Sequence, residues 1–68
     1  MTELEKIRKL AGWSRERTGV NAGVTAATCR MYELAGPEAI KDARKRRALD
    51  RTYATLRGIV AERAAEAA

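Results

Sequence analysis

From Gly12 to Glu33 the chain reads GWSRERTGVNAGVTAATCRMYE, and this stretch constrains the fold more than any other. Gly12 and Gly23 punctuate it, and each is followed two residues later by a hydroxyl, Ser14 and Thr25. A glycine at positive φ suits the turn that closes a helix. A Ser or Thr hydroxyl opens the next helix by accepting an N–H from its first turn. The pattern predicts a short helix capped by Ser14 and running to about Asn21 or Ala22. A tight turn at Gly23 and Val24 follows. A second helix, capped by Thr25, then runs from Ala26 to about Leu34.

The flanking segments read as helices too. Thr2 is an N-cap with Glu5 three residues on, the capping-box spacing. Leu4, Ile7, Leu10 and Ala11 follow at helical intervals, so residues 3–11 form the first helix and Gly12 ends it. Trp13 folds back onto the core. On the helix after Thr25, Cys29 and Tyr32 face inward with Val24 anchoring the turn, while Ala26, Ala27, Arg30 and Met31 face outward. Gly36-Pro37 stops that helix and starts the next, since Pro suits a first helical turn. Beyond it, Leu49, Thr52, Tyr53, Leu56, Ile59, Val60 and Ala64 form one stripe at intervals of three and four. Ala39, Ile40 and Ala43 form a shorter one. The basic run between the stripes predicts two helices, 38–46 and 49–66, with one long bent helix as the alternative.

No run of alternating β-branched residues reads as a strand. The expected fold is all-α, a compact four- to five-helix bundle in which residues 1–68 make a single domain. Its two-helix unit lies at 14–34 and its C-terminal helical region at 38–66. A chain of 68 residues buries a modest core. Its aromatics are Trp13, Tyr32 and Tyr53, with no Phe, so Leu, Ile, Val and Ala must build the interior.

The charge is unevenly placed. Lys41 to Arg51 holds six cations against Asp42 and Asp50, which is +4 of the chain's net +5. Such a cluster on a small helical protein suits a phosphate backbone; the plain alternative is a solvated helix face. Cys29 is the single cysteine and there is no His. That excludes an internal disulfide and a cysteine-based metal site, and it fits a redox-neutral compartment. Paired carboxylates, glycine-rich phosphate loops and metal-ligand spacings are absent from the sequence, so we expect no enzyme, no metal and no cofactor. No apolar stretch approaches membrane-spanning length and no signal-peptide pattern opens the chain, which predicts a cytoplasmic, nucleoid-associated protein without membrane contact.

Two helices around a tight turn, the second with a free outer face, form a helix-turn-helix, which sets its second helix in the major groove of DNA. The segment resembles the lambda-repressor/Cro-like, or XRE-type, family. Ile7-Arg8, Gly12-Trp13-Ser14-Arg15, Thr18-Gly19 and Gly23-Val24-Thr25-Ala26-Ala27-Thr28-Cys29-Arg30-Met31-Tyr32-Glu33 hold the family's motif places without insertion. Several places depart from the pattern. Thr18 stands for an apolar residue, Gly19 for a small Ala at the helix contact, Arg15 for a Gln, and Cys29 for an Ile or Val. Gly23 to Gly36 also resembles the MerR-type pattern. That family begins at this helix pair and continues into a β-wing, for which this chain has no strand-like segment.

The candidate DNA contacts follow from these readings. Arg30 can grip guanine O6 and N7 with two hydrogen bonds. Ala26, Ala27 and Met31 offer close approach or thymine-methyl contact, and Thr25 and Thr28 can touch phosphate, although Thr25 is first a cap. The resemblance implies that Arg15 contacts a phosphate or a base, with Arg17 a weaker candidate. It also implies that Lys41, Arg44 and Lys45 meet phosphates near the start of the fourth helix. Leu56, Ile59, Val60 and Ala64 form either a dimer seam, with Gly58 allowing close approach, or part of the monomer core. Glu33 pairs with a basic neighbour and fixes the end of its helix. Cys29, Trp13, Tyr32 and Tyr53 serve packing. The expected function is a sequence-specific double-stranded DNA-binding regulator, a small homodimeric repressor. The alternatives are a protein-interaction adaptor and a non-specific architectural binder.

Overall fold

Three short helices pack around one long one. The computed structural model describes residues 1–67. In chain order the helices are α1 (Glu3–Leu10), α2 (Arg15–Ala22), α3 (Ala26–Ala35) and α4 (Ala43–Ala67), with a single 3₁₀ turn at Pro37–Ala39 between α3 and α4. No strand occurs among the described residues. The molecule measures 39 × 21 × 18 Å. The long dimension follows from α4, whose 25 residues rise by about 1.5 Å each.

The three short helices start as their sequences require. Thr2 Oγ1 accepts the Glu5 N–H at 3.2 Å, Ser14 Oγ accepts that of Arg17 at 3.0 Å, and Thr25 Oγ1 that of Thr28 at 3.1 Å. Gly23 closes α2 with φ of 75°, a conformation side-chain-bearing residues rarely adopt. Gly19 has a different role. A Cβ placed there would lie 2.6 Å from the Val24 carbonyl oxygen and 3.2 Å from the Thr25 carbonyl carbon. Even the small alanine of the family pattern does not fit without movement. The absent side chain lets α2 approach the backbone that leads into α3.

The core comprises Ile7, Ala11, Cys29, Tyr32, Ile40, Leu49, Tyr53 and Leu56, with Leu4, Trp13, Ala22, Val24, Ile59 and Val60 packed against it. Cys29 and Tyr32 face inward from α3, as their spacing predicts, and burial raises the Cys29 thiol pKa. Thr18 is fully buried because its hydroxyl donates to the Ser14 carbonyl at 2.8 Å, which satisfies it inside its own helix. Thr52 is buried with its hydroxyl on Asn21 Oδ1 at 2.9 Å, tying α4 to the end of α2.

The C-terminal region departs from expectation in two ways. It is not two helices at 38–46 and 49–66 but one α-helix from Ala43. The basic run interrupts the apolar stripe without interrupting the helix, since Arg and Lys are good helix formers and neither Gly nor Pro occurs there. Arg46 is half-buried and donates to the Ile40 carbonyl at 3.1 Å, so its stem covers core where an apolar residue is missing.

Nor does α4 begin at Glu38. Ile40 is extended, with φ of −92° and ψ of 103°, and buried. Burying it turns the chain out of helix, and Asp42 restarts the helix. Its carboxylate accepts the N–H groups of Arg44 and Lys45 at 2.9 and 3.2 Å. Those bonds, Lys45 first, hold its pKa below the usual carboxylate value.

Leu56, Ile59, Val60 and Ala64, which the sequence leaves as either a dimer seam or part of the monomer core, do not share one environment. Leu56 is fully buried, and Ile59 and Val60 pack on the same core; of the four, only Ala64 is exposed. Leu56, with Ile59 and Val60 partly buried beside it, belongs to the monomer's core, and Ala64 does not.

Candidate nucleic-acid interface

The inner side of α3 is fixed by one carboxylate. Glu33 is buried and receives donors from three other helices. Arg8 Nε of α1 reaches Oε2 at 2.6 Å, Arg15 Nε of α2 reaches Oε1 at 3.0 Å, and the Tyr53 hydroxyl of α4 donates to Oε2. The cluster extends outward. Arg8 Nη1 donates to the Trp13 carbonyl at 2.7 Å, and Arg15 Nη2 to Glu5 Oε2 at 2.7 Å. The Tyr32 and Tyr53 rings lie 4.9 Å apart, tilted by 35°, and the Tyr32 hydroxyl donates to Asp50 at 2.6 Å. Burial, reinforced by the carboxylate partners, raises both phenol pKa values well above the ordinary range. Among the described residues no buried side-chain N or O lacks a hydrogen-bond partner.

This cluster gives Arg15 an intramolecular role. Its Nε and Nη2 are occupied by Glu33 and Glu5, and the Glu33 bond leads in raising its pKa. Arg15 is a positioning residue that joins α1, α2 and α3. Arg17, the weaker candidate, is exposed and stacks its guanidinium 4.3 Å from the centroid of the Trp13 ring. Glu33 pairs as its sequence position suggests. Its burial and its three donors are not visible from spacing, because Arg8 and Tyr53 lie 25 and 20 residues away.

The outer side of α3 is open. Ala27 and Arg30 are exposed, Met31 is half-exposed, and Leu34 is similarly exposed one turn further on. Ala26 and Thr28 are half-buried, and Thr28 Oγ1 is 3.0 Å from Thr25 Oγ1. The α3 start therefore has both hydroxyls engaged with each other and with the cap, while Arg30 forms no ion pair among the described residues.

The basic cluster forms a separate feature. Lys41, Arg44 and Lys45 are all exposed. Arg44 and Lys45 line a cleft of about 450 Å³ with Arg47, Ala48 and Arg51 of α4 and with Ala22 and Gly23 at the end of α2. Neither Arg30 nor Lys41 lines it. Arg47 and Arg51 were not singled out from sequence; their four-residue spacing, with Arg44 three earlier, was the available signal that they share a face.

No protein-family model matches the chain, and no curated protein or solved structure matches it. Among the described residues no helix is long and apolar enough to cross a membrane.

Proposed function

We propose that this protein is a sequence-specific double-stranded DNA-binding regulator in which α2, the Gly23 turn and α3 form a helix-turn-helix. The observation that carries this reading is the contrast across α3. Its inner face is anchored by Cys29, Tyr32 and Glu33, and its outer face presents Ala27, Arg30 and Met31 to solvent on a short, capped helix. Small residues at the start permit close approach to base edges, and Arg30 supplies the bidentate donor that selects guanine. Arg17, the Thr25 and Thr28 hydroxyls, Ala26, and the exposed Lys41, Arg44 and Lys45 supply approach and phosphate contacts around it. Arg15 acts indirectly, by holding Glu33. The resemblance of the motif to the XRE type supports the same reading, and a small repressor is the form it suggests.

Arg30→Ala tests the assignment. Its loss should cost about 1–3 kcal/mol at one base position and relax preference there. Lys41→Ala should weaken binding to all sequences alike and lower the salt slope by about one unit. Unchanged preference in the Arg30 variant would remove α3 from the role of reader.

A second reading rests on Met31 and Leu34, which are 50% and 46% exposed on the same helix face. Two exposed apolar residues three apart suit a protein groove, and they favour an adaptor. If the wild-type chain retains no duplex at micromolar concentration, the adaptor is the better reading.

A further inference from the structure

The solvent face of α4 carries a charge pattern that the monomer does not use. Arg47, Arg51, Thr55, Gly58, Glu62 and Glu66 follow one another at intervals of four, four, three, four and four. They lie on one side of the helix, and every one is exposed. The face is basic in its first half and acidic in its second. Among the described residues, the ion pairs of the chain involve only Arg8, Arg15, Glu5 and Glu33, so these four charges have no ionic partner within it.

Gly58 at the middle is unexplained by the fold. A Cβ there would meet nothing within 4 Å, and its φ is ordinary. Glycine inside a helix is unfavourable, so the monomer gains nothing from it. Thr55 beside it already donates its hydroxyl to the Arg51 carbonyl at 3.2 Å, so covering it would strand no donor.

We propose that this face pairs with its own copy, α4 against α4 in antiparallel orientation about a two-fold axis. With the axis passing between Leu56 and Arg57, Arg47 stands opposite the partner's Glu66, and Ala48 opposite the partner's Ala65. Arg51 then stands opposite the partner's Glu62, and Thr55 opposite the partner's Gly58. Arg47 and Arg51 each meet a carboxylate, Glu62 and Glu66 each meet a guanidinium, and the central positions Thr55 and Gly58 are small. A two-fold interface requires such self-complementarity, because each contact occurs twice. The seam runs about 28 Å along the helix at about 1.5 Å per residue. The partner's acidic end lies along the cleft lined by Arg47, Ala48 and Arg51, and Val20, 82% exposed, lines the adjoining cleft that Ala48 and Arg51 also border. The charges fix orientation and register, while the small centre admits close backbone packing. This surface lies beside the Leu56, Ile59 and Val60 stripe and shares no residue with it.

Sedimentation equilibrium of the full chain over a concentration series tests the pairing, with protein alone and therefore independently of DNA binding. The wild type should approach twice the monomer mass, and added salt should weaken the association. The double variants Arg47→Glu/Arg51→Glu and Glu62→Lys/Glu66→Lys should each lose roughly tenfold or more in self-association, with helical circular dichroism intact. Mixed one to one, the two variants restore opposite charge at every contact and should form a heterodimer. A wild type that stays monomeric throughout the series would overturn the pairing, as would variants that associate like the wild type or a mixture that stays monomeric. A monomer whose heparin binding is lost in the arginine variant would assign the face to polyanions instead.

Discussion

α3 and α4 are anchored in the same core by different means. α4 buries Leu49, Thr52, Tyr53 and Leu56 along an apolar stripe, and the area removed from water holds it. α3 buries Cys29, Tyr32 and Glu33, and Glu33 is reached by side chains of α1, α2 and α4. Apolar burial is non-directional, so α4 is held by how much it covers. A carboxylate gripped by three donors has a defined geometry, so α3 is held by how it points. A helix whose orientation is set from behind can leave its front bare. That is the requirement for a helix that reads another molecule.

Removing the directional anchor should have the largest effect. Glu33→Ala leaves the Arg8 guanidinium buried without its partner, and we expect about 3–5 kcal/mol of destabilisation in urea unfolding. A domain of this size has little stability to spare, so much of the population should unfold at room temperature. A loss under about 1 kcal/mol would show that the ionic cluster is dispensable. Leu56→Ala tests the apolar anchor and should cost about 3 kcal/mol, from lost transfer energy and the cavity left behind. The two variants should also differ in kind. The Leu56 variant, where folded, keeps α3 in place and retains DNA preference, whereas the folded fraction of the Glu33 variant loses it.

Gly19→Ala is a gentler break. Helix propensity favours Ala, but the methyl meets the Val24 carbonyl, so we expect a net loss of about 1 kcal/mol in the thermal transition. A stabilised variant would mean that the backbone shifts at no cost and that the close approach of α2 to α3 is unimportant.

The smallest effect is one of pH. Folding raises the Tyr53 and Tyr32 phenol pKa values, through burial first and then their bonds to Glu33 and Asp50. The folded state therefore holds these protons more tightly than the unfolded chain. Their contribution is complete below the unfolded phenol value of about 10 and is lost as pH rises above it. Tyrosinate absorption should appear together with loss of helix. Tyr53→Phe should flatten the alkaline decline. Tyrosinate appearing near pH 10 in a fully helical protein would show that the buried hydroxyls are not as constrained as their contacts imply.

The local parts of this fold were legible because their causes are local. Thr2, Ser14 and Thr25 each cap within three residues, and Gly23 turns the chain at its own position. The inward placement of Cys29 and Tyr32 follows from the helical period alone. What was not legible depends on distance. Nothing near Glu33 announces a partner on α4, and nothing near Leu56 says whether its stripe meets this chain or another. The start of α4 was missed for a local reason. Gly36-Pro37 is a strong stop-and-start signal, yet the helix starts only after Asp42, whose carboxylate accepts the Arg44 and Lys45 N–H groups. Burial of Ile40 decided between them. At the candidate site, the exposure of Ala27, Arg30 and Met31 on α3 was readable from periodicity, whereas Ala26, expected to face outward, is half-buried at the start of the helix. The commitment of Arg15 to Glu33 and Glu5 was not, because a cation at a helix start reads the same whether it faces phosphate or a buried carboxylate.

The central claim is that the open face of α3 reads base sequence. A binding selection from a randomised duplex library at physiological salt, run in parallel for the wild type and Arg30→Ala, tests it most directly. The account predicts an enriched motif containing a guanine that the Arg30 variant no longer selects. If the α4 pairing also holds on DNA, the motif is an inverted repeat whose spacing reports that dimer. Retention of duplexes without any enriched sequence, or an identical motif from the Arg30→Ala protein, would contradict the claim.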